Sequence, residues 1–300
     1  MREQTYTPDE IAKLFKISKH TVYELIKRGE LKAFKVGNQM RIDKSEVERF
    51  KNQGAPSKNK SLGNELSLHI AGSHDFLIEQ LIKYVSKEAD FLTLRPSFIG
   101  SLEGLLMLYR GNCDIAAMHL LDPSSGEYNL PFIKLFFVLE PITVIRLASR
   151  EQGFIVAKGN PKEISSVRDL TRKEIVFVNR QNGSGTRILL DSILKQEDID
   201  PSSINGYENE EWNHLSAASY IASGNADAAL GIRTAAEQLN LDFIPIAQEQ
   251  FDLVLRWNEK NSAALQHLLD IIQLTSFKET IHKLKGYGTE QFGKIIYEYK

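Results

Sequence analysis

The residues best suited to chemistry lie at the end of an apolar run. Val176-Phe177-Val178 passes through Asn179-Arg180-Gln181 into Asn182-Gly183-Ser184-Gly185-Thr186-Arg187, and an apolar-periodic helix over 188–194 begins at once. A strand that turns through glycine into a helix start gathers backbone N–H groups, the hydroxyls of Ser184 and Thr186, and the positive end of a helix dipole at one point. That is a site for a small anion. It is not a phosphate-binding P-loop, which needs four residues between its first glycine and a Gly-Lys-[Ser/Thr], and no lysine follows here. The plainer reading is a helix capped by Ser184.

Two other stretches repeat the pattern of glycine and hydroxyl ahead of a helix: Gly72-Ser73, and Gly100-Ser101. Three such corners could aim their donors at one place, with Ser73, Ser101, Ser184 and Thr186 as hydrogen-bond partners and Gly183 and Gly185 allowing close approach. His119, at the end of a third apolar run, either donates to the ligand or packs beside it. Arg187 either adds charge to the anion or bridges two lobes, and Arg180 reads as structural. The polar loop carrying Asp122, Glu127 and Tyr128 is a candidate latch at a hinge.

Elements must hold these residues in place, and the chain is long enough for two or three compact units at 300 residues. Its net charge of −2 is unevenly spread. Residues 1–60 carry 14 Lys and Arg against 8 Asp and Glu, whereas the remainder carries 23 against 31. A basic head on an acidic body predicts a polyanion partner for the head alone. The single cysteine, Cys113, cannot form an intramolecular disulfide and reads as a small buried hydrophobe. The N-terminal residues form no apolar leader and no run approaches eighteen apolar residues, so the expectation is a cytoplasmic protein with no membrane partner.

In the head, Thr7-Pro8-Asp9-Glu10 reads as an N-cap, a first-turn proline and an acidic first turn. A short helix follows, then a turn, a second helix capped by Ser18 and running from Lys19 to about Lys27, and Gly29 at its end. Residues 31–42 predict two short strands around Gly37-Asn38, and a third helix follows from Asp43. The whole pattern, YTPDEIAKLFKISKHTVYELIKRGELKAFKVGNQMRIDKSEVERF, resembles the excisionase-type, MerR-like winged helix-turn-helix of bacterial regulators. Met40 stands where that family often has an aromatic. The resemblance implies binding to double-stranded DNA, with the second helix in a major groove. It places Ser18, Lys19, Thr21 and Tyr23 near bases or phosphates, Lys27 and Arg28 on the backbone, and Lys35, Asn38 and Arg41 in the wing.

Residues 53–63 are polar, rich in Gly, Pro, Ser and Lys, and read as a linker between a head over 1–52 and a body over 64–300. From there strands and helices alternate, which predicts an α/β body with a parallel or mixed sheet and ligands outside the strands' carboxyl ends. Two crossings, near residues 151–157 and 251–255, divide it into a first lobe, about 64–150 with 251–300, and a second, about 151–250. The segments GSHD, GSLEGL, CDIAAMHLLDPSSGEYN, REQGFIVAKGNP, FVNRQNGSGTR, ASGNADAALGI and FDLVL resemble, in order, the type II periplasmic-binding-protein-like domain fused to helix-turn-helix heads. That resemblance implies a two-lobed domain closing on a ligand, with molybdate or tungstate as the favoured effector, and a homodimeric transcriptional regulator as the whole. A small organic ligand in the same architecture is the alternative. An enzyme or cofactor-handling protein with an accessory head is a third reading, which no metal-ligand spacing or nucleophile elbow supports. No metal site and no covalent cofactor are expected.

Overall fold

The computed structural model describes residues 5–15, 19–27, 31–37, 39–47, 50 and 66–299. The chain divides into two compact units, residues 1–64 and 65–300.

In the first unit, helices Pro8–Phe15 and Lys19–Lys27 fall in chain order between the first and second strands of a small sheet. Strand β1 (Thr5–Tyr6) adds to β3 (Gln39–Asp43), which also pairs β2 (Phe34–Val36), so the expected hairpin gains a third strand. Thr7 and Glu10 cap the first helix reciprocally: the Thr7 N–H donates to the Glu10 carboxylate at 2.8 Å, and the Glu10 N–H to Thr7 Oγ1 at 3.3 Å. Ile11, Val22, Leu31, Ile42 and Val47 form the buried core. The linker over 53–63 lies outside the described residues.

The second unit is built on one ten-stranded sheet. Its strands are β4 (Leu66–Gly72), β5 (Leu92–Phe98), β6 (Ile115–Met118), β7 (Ile142–Val156), β8 (Phe177–Arg180), β9 (Glu210–Glu211), β10 (Ala228–Ile232), β11 (Asp242–Arg256), β12 (Tyr287–Gly288) and β13 (Lys294–Tyr299). The order is β5-β4-β6-β11-β7-β10-β8-β9, with β12 and β13 also on β7. The two predicted crossings are the antiparallel fifteen-residue strands β7 and β11, paired over their whole length with irregularities at Pro245/Ala247 and Phe251/Asp252. Sequence reading found only the apolar ends of these strands, because their middles are polar.

Each lobe buries both faces of its part of the sheet, as βαβ connections require. In the first lobe, Leu77, Leu81, Leu265, Leu268 and Phe277 cover one face, and Leu105, Leu108, Ile133 and Phe137 the other. In the second, Leu189, Leu190 and Leu194 pack on Phe154 and Phe177, while Ala217, Ala218, Ile221 and Ala235 pack on Ile155 and Ala229. Cys113 is buried, its Sγ 3.9 Å from the Gly104 carbonyl, and burial pushes its thiol up to about 12, as expected of a packing residue.

Gly72 ends β4 at φ 129, where a Cβ would lie 2.1 Å from the Ala117 carbonyl oxygen. Gly72→Ala is therefore expected to cost about 2–6 kcal/mol from backbone strain and overpacking together. Urea unfolding checks it, and an unchanged midpoint would contradict this account of the corner.

Candidate functional site

The three glycine corners converge. Ser73, Ser101 and Ser184 are all buried, at 6, 0 and 2% exposure. Ser73 Oγ and Ser101 Oγ share a hydrogen bond of 2.7 Å, and the His119 N–H donates to Ser101 Oγ at 3.1 Å. From the second lobe, Gly183 accepts a 3.2 Å bond from the N–H of Leu102, in the first turn of helix Ser101–Tyr109. Gly185 lies directly against His119. The lobes are closed on one another, and several groups predicted to hold ligand hold the other lobe or each other instead.

The hydroxyls of Ser184 and Thr186 are likewise engaged. Ser184 Oγ caps helix Gly185–Gln196 by accepting from the Arg187 N–H at 3.2 Å, and Thr186 Oγ1 accepts from Gln152 Nε2 at 3.0 Å. Arg187 turns away from the first lobe. Its Nε reaches Asp191 at 3.1 Å, its Nη1 reaches Glu210 at 3.0 Å, and its guanidinium sits 4.1 Å from the centre of the Tyr207 ring. It braces elements within the second lobe, and its charge is already matched there.

Arg180 is placed differently. Its Nε donates to the Glu211 carbonyl at 3.1 Å and its Nη2 to the Trp212 carbonyl at 3.0 Å. Its Nη1 has no hydrogen-bond partner, the side chain is 4% exposed, and no carboxylate pairs with it among the described residues. Burial, and then the neighbouring Arg150, bring its guanidinium down to about 9. Sequence reading took Arg180 as structural; two of its nitrogens are, and the third is not.

The floor between the lobes comes from the middles of the crossing strands. Arg150 and Glu249 are register partners there, and they form a buried ion pair. Arg150 also pairs with Asp75, which caps the helix Phe76–Glu88 and accepts from the Tyr287 hydroxyl at 2.9 Å. His119 Nδ1 lies 2.7 Å from Glu249, and Gln152 Nε2 donates to the same carboxylate at 3.0 Å. Burial opposes ionisation of Glu249, yet Arg150 and His119 hold its carboxyl down to about 2. Tyr128 is close enough to Glu249 to feel its charge, whereas Asp122 binds Ser124 and Ser125 within its own loop. Sequence reading missed Asp75, Arg150, Gln152 and Glu249, whereas the start of a helix at His214 reads from the sequence as a fourth set of N–H donors. The alternation Arg150-x-Gln152 in an apolar strand was the available signal.

His214 heads the helix His214–Ala222, is 2% exposed and has an unpartnered Nδ1. Burial first, then Arg180 and Arg150, lower its pKa well below the ordinary histidine value; burial also lowers that of His119, against the pull of Glu249. Both rings thus bind protons less readily in the folded state than in an unfolded chain. The unfolded state holds more protons below about pH 6.5, so stability rises with pH there. Acidifying the ligand-free protein from pH 7 to 5.5 is expected to lower its melting temperature, and substituting His214 should reduce that slope. An acid-insensitive melting curve would contradict it.

In the first unit, Lys19 Nζ lies 2.8 Å from Asp9, Tyr23 and Lys35 are exposed, and Arg41 is half-buried. Ser18, Arg28 and Asn38 lie outside the described residues, as do the side chains of Thr21 and Lys27 on the described second helix. Among the described residues there is no His, Cys, Asp and Glu cluster able to hold a metal, and no helix is long and apolar enough to cross a membrane.

Comparison with known proteins places this geometry. A helix-turn-helix family model matches residues 5–55, and the PBP superfamily domain matches residues 83–273. The uncharacterized protein YvgK of Bacillus subtilis (strain 168) is 37% identical over 306 residues, covering 98% of both chains. Among solved structures, a Clostridium perfringens protein assigned as a phosphate ABC transporter substrate-binding protein, with bound phosphate, matches at TM-score 0.58 and 15% identity, over 74% of this chain and 99% of that one. The tungstate ABC transporter of Geobacter sulfurreducens matches at TM-score 0.53 and 13% identity, over 73% and 99%. At these identities the structural likeness shows the fold. A type II binding-protein fold, matched over most of its length and preceded by a helix-turn-helix, makes this chain a member of the PBP superfamily with a DNA-binding-type domain at its head.

Proposed function

We propose that the protein is a cytoplasmic transcriptional regulator whose head binds double-stranded DNA as part of a homodimer and whose body closes on a small anion between its lobes. The observation that carries the anion is Arg180: a buried guanidinium with one nitrogen unpartnered and, among the described residues, no carboxylate in ion-pair contact, Glu249 and Glu211 acting on it only from farther off. A buried cation without a counter-ion costs several kcal/mol, and an anion arriving at it recovers much of that. In this reading the anion would also meet the corners of Ser73 and Ser101, His119 and the turn from Gly183 to Thr186, and Arg187 keeps its structural partners.

Molybdate and tungstate are the favoured ligands, a reading supported by the tungstate transporter that shares the fold. A small organic carboxylate is the alternative. DNA as the partner implies the cytoplasm, and a twofold operator suits a dimer whose geometry the closed and open bodies bias differently. Titration calorimetry and thermal shift with molybdate, tungstate, sulfate, phosphate and small carboxylates test the anion. A ligand at about a hundredfold its Kd adds about 2.7 kcal/mol, or about 5–10 °C for a body of this size. No heat and no shift with any of them would remove the anion from this reading.

A further inference from the structure

Four charged side chains occupy the floor and rear of the cleft: Asp75, Arg150, Arg180 and Glu249. Arg150 is shared between the two carboxylates, and Arg180 has neither. The set is balanced before any ligand arrives. A singly charged anion would leave it at −1, and a doubly charged oxyanion would leave it at −2 in a site shielded from water. Two buried rings, His119 and His214, are held below the ordinary histidine range by burial and are the groups there able to take up a proton. His119 is already directed at Glu249 through Nδ1, whereas His214 Nδ1 has no partner.

We propose that Arg180 and His214 together hold the anion, and that a doubly charged oxyanion enters with the uptake of one proton by His214. The inference rests on the anion reading above and adds a second holding residue and a proton count to it. Arg180 is fixed through the carbonyls of Glu211 and Trp212, three and two residues before His214, and its guanidinium is close enough for its charge to act on the imidazole. The helix behind His214 has its first turn capped, with Asn213 Oδ1 accepting from the Ser216 N–H at 2.7 Å. It adds its dipole to the same point.

The groups facing His214 favour this assignment. Arg180 at the end of β8, Arg150 on β7, His119 after β6 and His74 ahead of helix Phe76–Glu88 all present positive or neutral character to it. Gly231 of β10 lies on the Nδ1 side of the ring, where a Cβ would stand 3.3 Å from Nδ1, and carries no charge. Glu211 of β9 engages Tyr220 farther along the helix, and Arg233 of the neighbouring helix Arg233–Gln238 is paired with Glu151. An anion placed against Arg180 cancels the cationic field at His214 and supplies an acceptor for its second N–H. Protonation then becomes favourable where it was not. No bond is made or broken beyond the transfer of a proton from solvent to an imidazole nitrogen.

The test uses full-length protein and molybdate, with tungstate and sulfate as further dianions. Titration calorimetry at pH 7 in buffers of differing ionisation heat counts protons, and the expected count is one taken up per dianion. Across pH 6.5–7.5 the association constant should fall about tenfold per unit rise in pH. His214→Gln keeps a hydrogen-bond donor, so it should still bind, about tenfold more weakly, with no proton taken up and a flat pH profile. Wild-type binding of a dianion with no proton uptake overturns the proposal, as does uptake that persists in His214→Gln or binding confined to singly charged anions. The buffer series on the wild-type protein decides the proton count even if the variant folds poorly. Absence of binding by every anion removes the anion reading itself, and this inference with it.

Discussion

Arg180→Gln is expected to cut the anion-induced thermal shift by half or more, while Arg187→Met lowers the melting temperature and leaves that shift in place. The two residues lie on either side of the same turn and have opposite surroundings. Arg180 Nη1 is buried without a partner, so what it contributes is realised only when an anion arrives. A charge-assisted hydrogen bond of this kind is worth about 1.5–3 kcal/mol, which is a loss of about 10- to 150-fold in affinity when it is removed. Glutamine keeps a donor to the carbonyls of Glu211 and Trp212, which limits the damage to the free protein. Arg187 has already formed its pairs with Asp191 and Glu210 and its stack on Tyr207. Those carboxylates are 42% and 37% exposed, so solvent screens them, and about 1–3 kcal/mol of stability is at stake. Calorimetry and melting curves on the two variants separate the roles. An Arg180→Gln protein that retains full affinity would mean that the anion sits elsewhere.

Gly185→Ala should hold the lobes apart. A Cβ on Gly185 would lie 2.4 Å from the His119 carbonyl oxygen and 2.5 Å from its Nδ1. Gly185 belongs to the second lobe and His119 to the first, so the clash is relieved most cheaply by separating them. Overpacking of this kind costs about 1–3 kcal/mol, which shifts an open-to-closed ratio by about 5- to 150-fold. Small-angle scattering should show a larger radius of gyration for the variant in saturating anion, and its ligand response should weaken in parallel. A variant as compact as the wild type, with full response, would show that His119 can yield and that the contact does not control closure.

Much of the architecture was legible because it is local. Thr7-Pro8-Asp9-Glu10 announces a helix start by its side chains alone, and the cap it predicts is present. The three glycine corners could be found because a strand end followed by glycine and a hydroxyl is a contiguous pattern. What happens among them depends on pairings distant in sequence. The bond between Ser73 and Ser101 spans 28 residues, and the ion pair between Arg150 and Glu249 spans two strands whose register no local signal sets. The Arg187–Asp191 pair was within reach, since arginine and aspartate four apart on a helix face are neighbours. Noticing it would have left Arg180 as the cation to explain. In the head, β1 escaped because two residues carry no periodicity. The recognition residues could be assigned only from their resemblance to a family pattern.

The two crossing strands bear on how fast such a body can respond. They run fifteen residues each through both lobes, hydrogen-bonded to one another throughout, and their irregularities fall at Pro245/Ala247 and Phe251/Asp252 on either side of Glu249. A bulge twists and bends a ladder with little loss of pairing. Opening is then a flexing of an intact ribbon at two compliant points, with no segment melting and re-forming. Such a motion belongs to the microsecond-to-millisecond range of domain hinges, far quicker than the seconds needed for a chain to refold. The amide protons of both strands should stay protected from exchange while the jaws they carry open and shut.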